Sequence, residues 1–277
     1  MEKLDCLVWA AGISFISFGM RIGVRVSTPE LLEKVLAYLP PGWKFAPSPR
    51  VERLYSFIAG GAGPQPNVRK FHLLYGNSQR LARFARADGL LETFEADLNS
   101  NIAEGSRRWF FLHAGVIGWK GQAVLIPGRS FSGKTTLVKE FLRMGADYYS
   151  DEFAPLDGNG RVHPFPRQLS IRENISQGQV RVAAEELGGK TGVKPLPIGL
   201  VLLTQHKPGT RWRPKAMFPG RASLGLLANA FAARRQPERA LATVEKLVCR
   251  AQILTGSRGE AKEVVESILQ RLASPIE

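Results

Sequence analysis

The sequence predicts an α/β protein, and three observations support this class. Its 277 residues are 44% hydrophobic and 22% charged, which is ordinary globular composition and enough chain to bury a sizeable core. Residues 122–150 follow the order strand, glycine loop, helix, strand, which is typical of a βαβ unit with some parallel pairing. The N-terminal part mixes alternating apolar strands with capped helices, which indicates a second, smaller α+β unit.

We expect two domains, a small α+β domain at residues 1–105 and a larger α/β domain at residues 106–277. The segment Glu104–Arg108 is the candidate boundary, because the charge balance changes there and a new series of apolar strands begins. In the first domain the pattern predicts strands near 13–18, 21–27, 51–59 and 68–75, a helix between Ser27 and Pro40, and a second helix over 79–103.

In the second domain the same patterns predict five strands and four helices. The predicted strands are 109–117, 122–127, 146–150, 199–204 and 251–255. The predicted helices are 134–144, 222–235, 237–249 and 259–273, with Gly145 ending the first of them. Residues 176–197 are rich in glycine and proline and predict a mobile loop or lid beside a short helix.

The net charge of +14 is unevenly distributed, since residues 106–277 alone carry 26 basic and 14 acidic side chains. A polyanionic partner such as a nucleotide, an acidic protein or a nucleic acid fits this excess of positive charge. We do not expect nucleic acid, because no recognition motif or aromatic-interleaved basic stripe is present. Two cysteines without metal-ligand spacing indicate neither a disulfide scaffold nor a zinc module.

The apolar stretch from Cys6 to Met20 is too short to span a membrane, and acidic residues precede it. We interpret it as a buried strand of a cytoplasmic protein without a membrane partner.

One motif carries the chemistry. The pattern G-x-x-x-x-G-K-[ST] is met by Gly128, Arg129, Ser130, Phe131, Ser132, Gly133, Lys134 and Thr135, and Thr136 follows at once. Glycines permit a turn whose backbone N–H groups point at phosphate oxygens, and the lysine ammonium reaches the β- and γ-phosphates from the start of the helix. The hydroxyl of Thr135 suits Mg²⁺. The flanking strand and amphipathic helix are the context that this motif requires, so the sequence predicts an ATP and Mg²⁺ site.

Two acidic residues follow the next predicted strand. Asp151 and Glu152 lie where a phosphate-loop enzyme holds its metal, and a pair of acids allows one to bind metal while the other accepts a proton. A solvated turn is the simpler alternative. His113 lies on the strand before the phosphate-loop strand, and from spacing alone it is a hydrogen-bonded core residue.

Three segments together resemble the catalytic domain of the HPr serine kinase family, which is itself similar to ATP-dependent phosphoenolpyruvate carboxykinase in its nucleotide site. The segments are His113–Val116, the loop ending at Thr136, and Ala146–Glu152, and the similarity extends over about residues 109–175. The resemblance implies that Asp151 is the base for an acceptor hydroxyl, that Glu152 helps to hold metal, and that His113 borders the phosphates. It also suggests a homo-oligomer, by analogy only. Glu152 stands where that family usually has aspartate.

The predicted function is therefore an ATP-dependent kinase that phosphorylates a hydroxyl, with a serine of a protein or peptide as the expected acceptor. Asp151, His113 and Lys134 are the predicted catalytic residues, and Thr135, Glu152 and Asp151 are the predicted metal ligands. The alternatives are a nucleotide-binding switch or ATPase scaffold that engages a partner, and a kinase of a small-molecule hydroxyl such as free serine. The arginine that stabilises the transferred phosphoryl group stays open among Arg211, Arg213, Arg167 and Arg172.

Overall fold

The structure, a computed structural model, describes residues 2–60, 71–129, 132–171 and 180–273. The chain divides into two compact units, Met1–Arg107 and Arg108–Glu277. Both contain helices and sheets, which confirms the predicted α/β class.

The first unit is built on a six-stranded sheet in the order β3-β1-β2-β4-β5-β6. Its elements are α1 (Glu2–Asp5), β1 (Ala11–Ser17), β2 (Met20–Val26), α2 (Pro29–Leu36), β3 (Lys44–Phe45), β4 (Arg53–Ile58), β5 (His72–Gly76), β6 (Gln79–Phe84) and α3 (Ala87–Gly105). Strands β1 and β2 form a hairpin, α2 crosses over to β4, which runs parallel to β2, and α3 covers the buried face of the sheet with Phe94, Leu98 and Ile102.

The predicted helix over 79–103 is wrong at its start. Residues 79–84 form β6, the edge strand that pairs with β5, and the helix begins only at Ala87.

The second unit contains a nine-stranded sheet in the order β14-β9-β7-β10-β11-β15-β17-β16, in which β8 pairs with both β7 and β15. Its strands are β7 (Phe110–Trp119), β8 (Gln122–Pro127), β9 (Asp147–Ser150), β10 (Phe153–Leu156), β11 (Arg161–Val162), β14 (Lys190–Thr191), β15 (Leu196–His206), β16 (Lys215–Ala216) and β17 (Gln252–Arg258). A separate two-stranded sheet is formed by β12 (Leu169–Ile171) and β13 (Val180–Val182). The helices are α4 (Lys134–Arg143), α5 (Pro219–Leu227), α6 (Pro237–Arg250) and α7 (Ala261–Ala273), with a short 3₁₀ helix at Glu185–Leu187.

Helices cover this sheet on both faces, because its strands alternate apolar side chains to either side. On one face Val124 and Ile126 of β8 join a cluster formed with α4 and α7. On the other face Leu125 joins a cluster formed with α5 and α6. Strands β8, β15 and β17 run parallel, so their carboxyl ends meet at one edge of the sheet.

Three further predictions need correction. Helix α5 ends at Leu227 and not at 235, β17 extends to Arg258 and not to 255, and the stretch predicted as a loop or lid contains β13, β14 and the 3₁₀ helix. Part of that stretch, 176–179, lies outside the described residues. Among the residues described, no helix is both long and apolar enough to cross a membrane.

Candidate functional site

The glycine loop joins the carboxyl end of β8 to the first residue of α4. Gly133 precedes the helix with a φ of +82°, a left-handed conformation that favours glycine. A Cβ on Gly128 would lie 2.5 Å from the Ser132 hydroxyl oxygen, so this position also requires glycine. Ser130 and Phe131 lie outside the described residues. The described part of the loop thus presents backbone N–H groups at a helix N-terminus that has no capping side chain.

Lys134 lies inside this loop. Its side chain is buried, and Nζ donates hydrogen bonds to the carbonyl oxygens of Gly128 at 2.7 Å and Arg129 at 2.9 Å. Burial lowers the pKa of the ammonium, whereas the charges of Asp151 and Glu152 act to raise it. In this position, phosphate oxygens can take the place of the two loop carbonyl oxygens as hydrogen-bond acceptors of the ammonium. The side chains of Arg129 and Thr136, by contrast, are exposed.

Asp151 and Glu152 form a corner between β9 and β10, which lie along the same edge of β7. The buried Ser150 hydroxyl holds the corner by accepting hydrogen bonds from the N–H groups of Glu152 at 3.3 Å and Phe153 at 3.0 Å. The Ala114 N–H donates to the Glu152 carbonyl oxygen at 3.1 Å. The acids are thus fixed beside β7 by backbone geometry.

The Asp151 carboxylate faces the phosphate loop. Its Oδ2 accepts a hydrogen bond from the Thr135 hydroxyl at 3.1 Å, and its buried Oδ1 has no hydrogen-bond partner in the described part of the chain. Burial raises the pKa of Asp151 to about 6; the Thr135 hydrogen bond and the Lys134 charge oppose this rise, and the charge of Glu152 adds to it. A carboxylate with these properties can accept a proton near neutral pH.

Mg²⁺ fits this arrangement through Thr135 and Asp151. No group of three or more histidine, cysteine, aspartate or glutamate side chains that could hold a metal occurs among the described residues. Mg²⁺ does not need one, because it is usually bound by one or two carboxylates together with phosphate oxygens and water. Oδ2 of Asp151 and the Thr135 hydroxyl, which lie 3.1 Å apart, supply suitable oxygens.

Glu152, the third predicted metal ligand, forms an ion pair in the structure. Its half-exposed carboxylate lies 3.3 Å from the guanidinium of Arg167. Of the candidate arginines, the structure brings Arg167 to the acids, whereas Arg211 and Arg213 are exposed and Arg172 lies outside the described residues.

His113 lies on β7, between the acid corner and the loop. Its backbone N–H donates to the Asn229 carbonyl oxygen at 2.7 Å, and its carbonyl oxygen accepts from the Gly128 N–H at 3.2 Å. Burial, together with the nearby charge of Lys134, lowers the pKa of His113 to about 4. The imidazole is therefore neutral at physiological pH and lies next to the lysine that the motif predicts to bind phosphate.

A cleft of about 570 Å³ opens beside the loop, at the carboxyl ends of β8, β15 and β17 and against the end of α5. Its polar lining includes Thr204, Gln205, Asn229, Thr255 and Ser257. The buried Oδ1 of Asn229 has no hydrogen-bond partner among the described residues.

One further residue at the loop was missed by sequence reasoning. Arg258, the last residue of β17, is 1% exposed and donates to the carbonyl oxygens of Gly133 at 2.8 Å and Ser132 at 3.3 Å. The available signal was its place at the carboxyl end of a strand, and the predicted strand stopped three residues too early to show it.

A scan against models of known protein families found no match, and no curated protein was found to be similar in sequence.

Proposed function

We propose that the protein is an ATP-dependent kinase that transfers the γ-phosphoryl group to a hydroxyl, with a serine of a protein or peptide as acceptor. The proposal includes a catalytic unit of the HPr kinase type and a cytoplasmic location. The observation that carries it is the Asp151 carboxylate, which has a pKa near 6 and is hydrogen bonded to Thr135 beside the buried Lys134.

The glycine loop supplies the groups that would bind the nucleotide. The N–H groups at the start of α4 and the Lys134 ammonium would hold the β- and γ-phosphates. Thr135 and Asp151 would hold Mg²⁺, which neutralises charge on the phosphates when it is bound. The cleft lined by Asn229 lies across the loop from the acid corner, so it has room for the base and ribose while the γ-phosphate faces Asp151.

Transfer needs a proton acceptor on the γ-phosphate side. Above about pH 6 Asp151 is ionised, and Oδ1 is the oxygen without a partner in the described part of the chain. It would take the proton of the acceptor hydroxyl while that oxygen forms its bond to phosphorus and the bond from phosphorus to the bridging oxygen of ADP breaks. The protein has little covalent chemistry to perform in such a reaction, so positioning and charge stabilisation supply most of the acceleration.

The other groups have supporting roles. Neutral His113 adds no charge beside Lys134, so it can donate or accept a hydrogen bond at the acceptor without repelling the ammonium. Arg167, bonded to Glu152, is the described arginine best placed to meet charge on the transferring group. The positive charge of residues 106–277 favours an acidic peptide as the acceptor.

The test is a transfer assay with γ-labelled ATP, Mg²⁺ and the proteins and peptides encoded near this one, followed by intact-mass measurement of each candidate. We expect one of them to gain a phosphoryl group, and Asp151→Asn to abolish the gain. The matched control is Asp147→Asn, four residues earlier at the start of β9 and exposed, which should remain active. ATP binding without transfer to any candidate would favour a nucleotide-binding switch, and transfer to free serine alone would favour a small-molecule kinase.

A further inference from the structure

Arg258 is a buried cation without an ion-pair partner in the described part of the chain. Its guanidinium ends β17 and is 1% exposed, and no carboxylate among the described residues lies within ion-pair distance of it. Burial lowers its pKa, and Glu260 opposes this effect only through its charge, without a hydrogen bond. A buried charge with no counter-charge is costly, so a fold that keeps one has a use for it.

The contacts of Arg258 are all with the loop and the neighbouring strand. Nη2 donates to the carbonyl oxygens of Ser132 and Gly133, and Nε lies 3.4 Å from the Thr204 hydroxyl. A Cβ added to Gly133 would collide with Nη2, so glycine at this position is needed for the contact as well as for its positive φ.

The hydrogen bonds from Arg258 help to orient the loop N–H groups, together with the Leu137 N–H, which also donates to the Gly133 carbonyl oxygen at 3.3 Å. Within a planar trans peptide the C=O of one residue and the N–H of the next point in opposite directions. By holding the carbonyls of Ser132 and Gly133 from behind, Arg258 turns the N–H groups of Gly133 and Lys134 to the opposite side. That side is the one on which the motif binds phosphate.

We propose that Arg258 is a positioning residue for polyphosphate binding, which fixes the loop peptides from behind and whose buried charge is balanced when the polyphosphate is bound. This inference rests on the proposed nucleotide site and goes beyond its motif, because the arginine lies 125 residues from Gly133 in the chain.

The experiment measures binding by calorimetry for the wild type, Arg258→Lys, Arg258→Gln and Arg258→Ala, with Mg-ATP and separately with inorganic tripolyphosphate. Since hydrogen bonds from a charged group are among the stronger ones, we expect Arg258→Gln to weaken both ligands by about 10-fold or more, and Arg258→Lys by less. The affinity for tripolyphosphate should fall by the same factor as the affinity for ATP, because the substitution acts on the phosphate loop and not on the cleft. The matched control is Arg143→Lys at the other end of α4, which should bind as the wild type does.

Three readouts distinguish the positioning role of Arg258 from a purely structural one. Arg258→Gln should raise the KM for ATP more than it lowers kcat. Millimolar guanidinium should restore affinity to Arg258→Ala, whereas tetramethylammonium should not. Thr204→Val, which keeps the arginine and removes one of its acceptors, should weaken the binding of tripolyphosphate, a ligand without the base and ribose proposed for the cleft that Thr204 also lines, and it serves if the other variants do not fold.

Failure of this inference and failure of the proposed function give different results. If the wild type binds ATP and a folded Arg258→Gln binds it equally well, the role of Arg258 is overturned and the kinase proposal stands. If the wild type binds neither ATP nor tripolyphosphate, both are overturned.

Discussion

The Asp151 carboxyl is subject to opposing effects, and their balance decides its chemistry. Removal from water favours the protonated form, while the Thr135 hydrogen bond and the Lys134 charge favour the ionised form. Burial is the larger effect and raises the pKa to about 6. At neutral pH the group is thus ionised yet basic enough to take a proton, which an unshifted aspartate does poorly.

The pH dependence of transfer follows from this value. The rate should fall as the pH drops below about 6, because protonated Asp151 cannot accept the hydroxyl proton. Asp151→Asn should lower kcat by roughly a hundredfold to ten-thousandfold and remove this acidic limb from the profile. His113→Asn should keep the limb, since the pKa of His113 is lowered to about 4. If the acidic limb changes in the His113 variant and not in the Asp151 variant, the histidine is the base.

The same raised pKa predicts that Asp151 lowers the stability of the fold above pH 6. Below the unfolded pKa of 3.8 the group is protonated in both states and has no effect. Between pH 3.8 and about 6 the unfolded chain releases the proton while the folded chain keeps it, so the free energy of unfolding falls across this range and is constant above it. Asp151→Asn should therefore be more stable than the wild type by up to about 3 kcal/mol at pH 8 and equal to it near pH 3. Urea unfolding at both pH values measures this, and a gain that is constant with pH would contradict it.

At the scale of elements, the junction of β9 with β10 positions the acids. The two strands share one edge of β7, and the chain must turn at Asp151 and Glu152 without leaving that edge. Ser150 bonds the two N–H groups that follow the turn. The serine therefore supports the site although it is buried.

Ser150→Ala should lower the free energy of unfolding by about 1–3 kcal/mol, because it leaves two N–H groups without their acceptor. It should also lower kcat more than it changes the KM for ATP, since the corner moves while the loop stays in place. Ser223→Ala is the matched control, because the exposed Ser223 hydroxyl bonds only within α5 and its removal should change neither quantity. An unchanged kcat in folded Ser150→Ala would show that the corner does not need the serine.

Local patterns predicted the elements that carry the loop. Strand β8 was predicted from its short apolar run, helix α4 from its amphipathic pattern, and the turn between them from its glycines. Residues 79–84 were predicted wrongly as helix because arginine, leucine and alanine favour helices. They form a strand because pairing with β5 overrides that propensity, and one face of the edge strand remains exposed.

The parts of the site that depend on distant contacts were not predictable from local pattern. Helix α5 ends before Asn229 because the chain there pairs with β7, through His113 and Phe111, and no local breaker announces this. Arg258 meets Gly133 across a separation of 125 residues. Such contacts arise from tertiary pairing. The sequence therefore shows the phosphate-loop motif but not the distant residues that hold the loop in place.

At the scale of the whole molecule, every residue of the candidate site lies in the second unit. The two hydrophobic clusters that hold its sheet and helices, including Val138 on one face and Val201 on the other, also belong entirely to that unit. A unit of this size that buries a core on both faces of its sheet has the features of a domain that folds by itself.

We therefore expect residues 108–277, expressed alone, to unfold in one cooperative transition and to bind Mg-ATP with the affinity of the full chain. Calorimetry of fragment and full chain under the same buffer makes the comparison, and Lys134→Met in the fragment should abolish binding because it removes the ammonium from the loop. A folded fragment that no longer binds would mean that the first unit contributes to the nucleotide site. A fragment that binds but no longer phosphorylates its acceptor would instead assign recognition of the acceptor to the first unit.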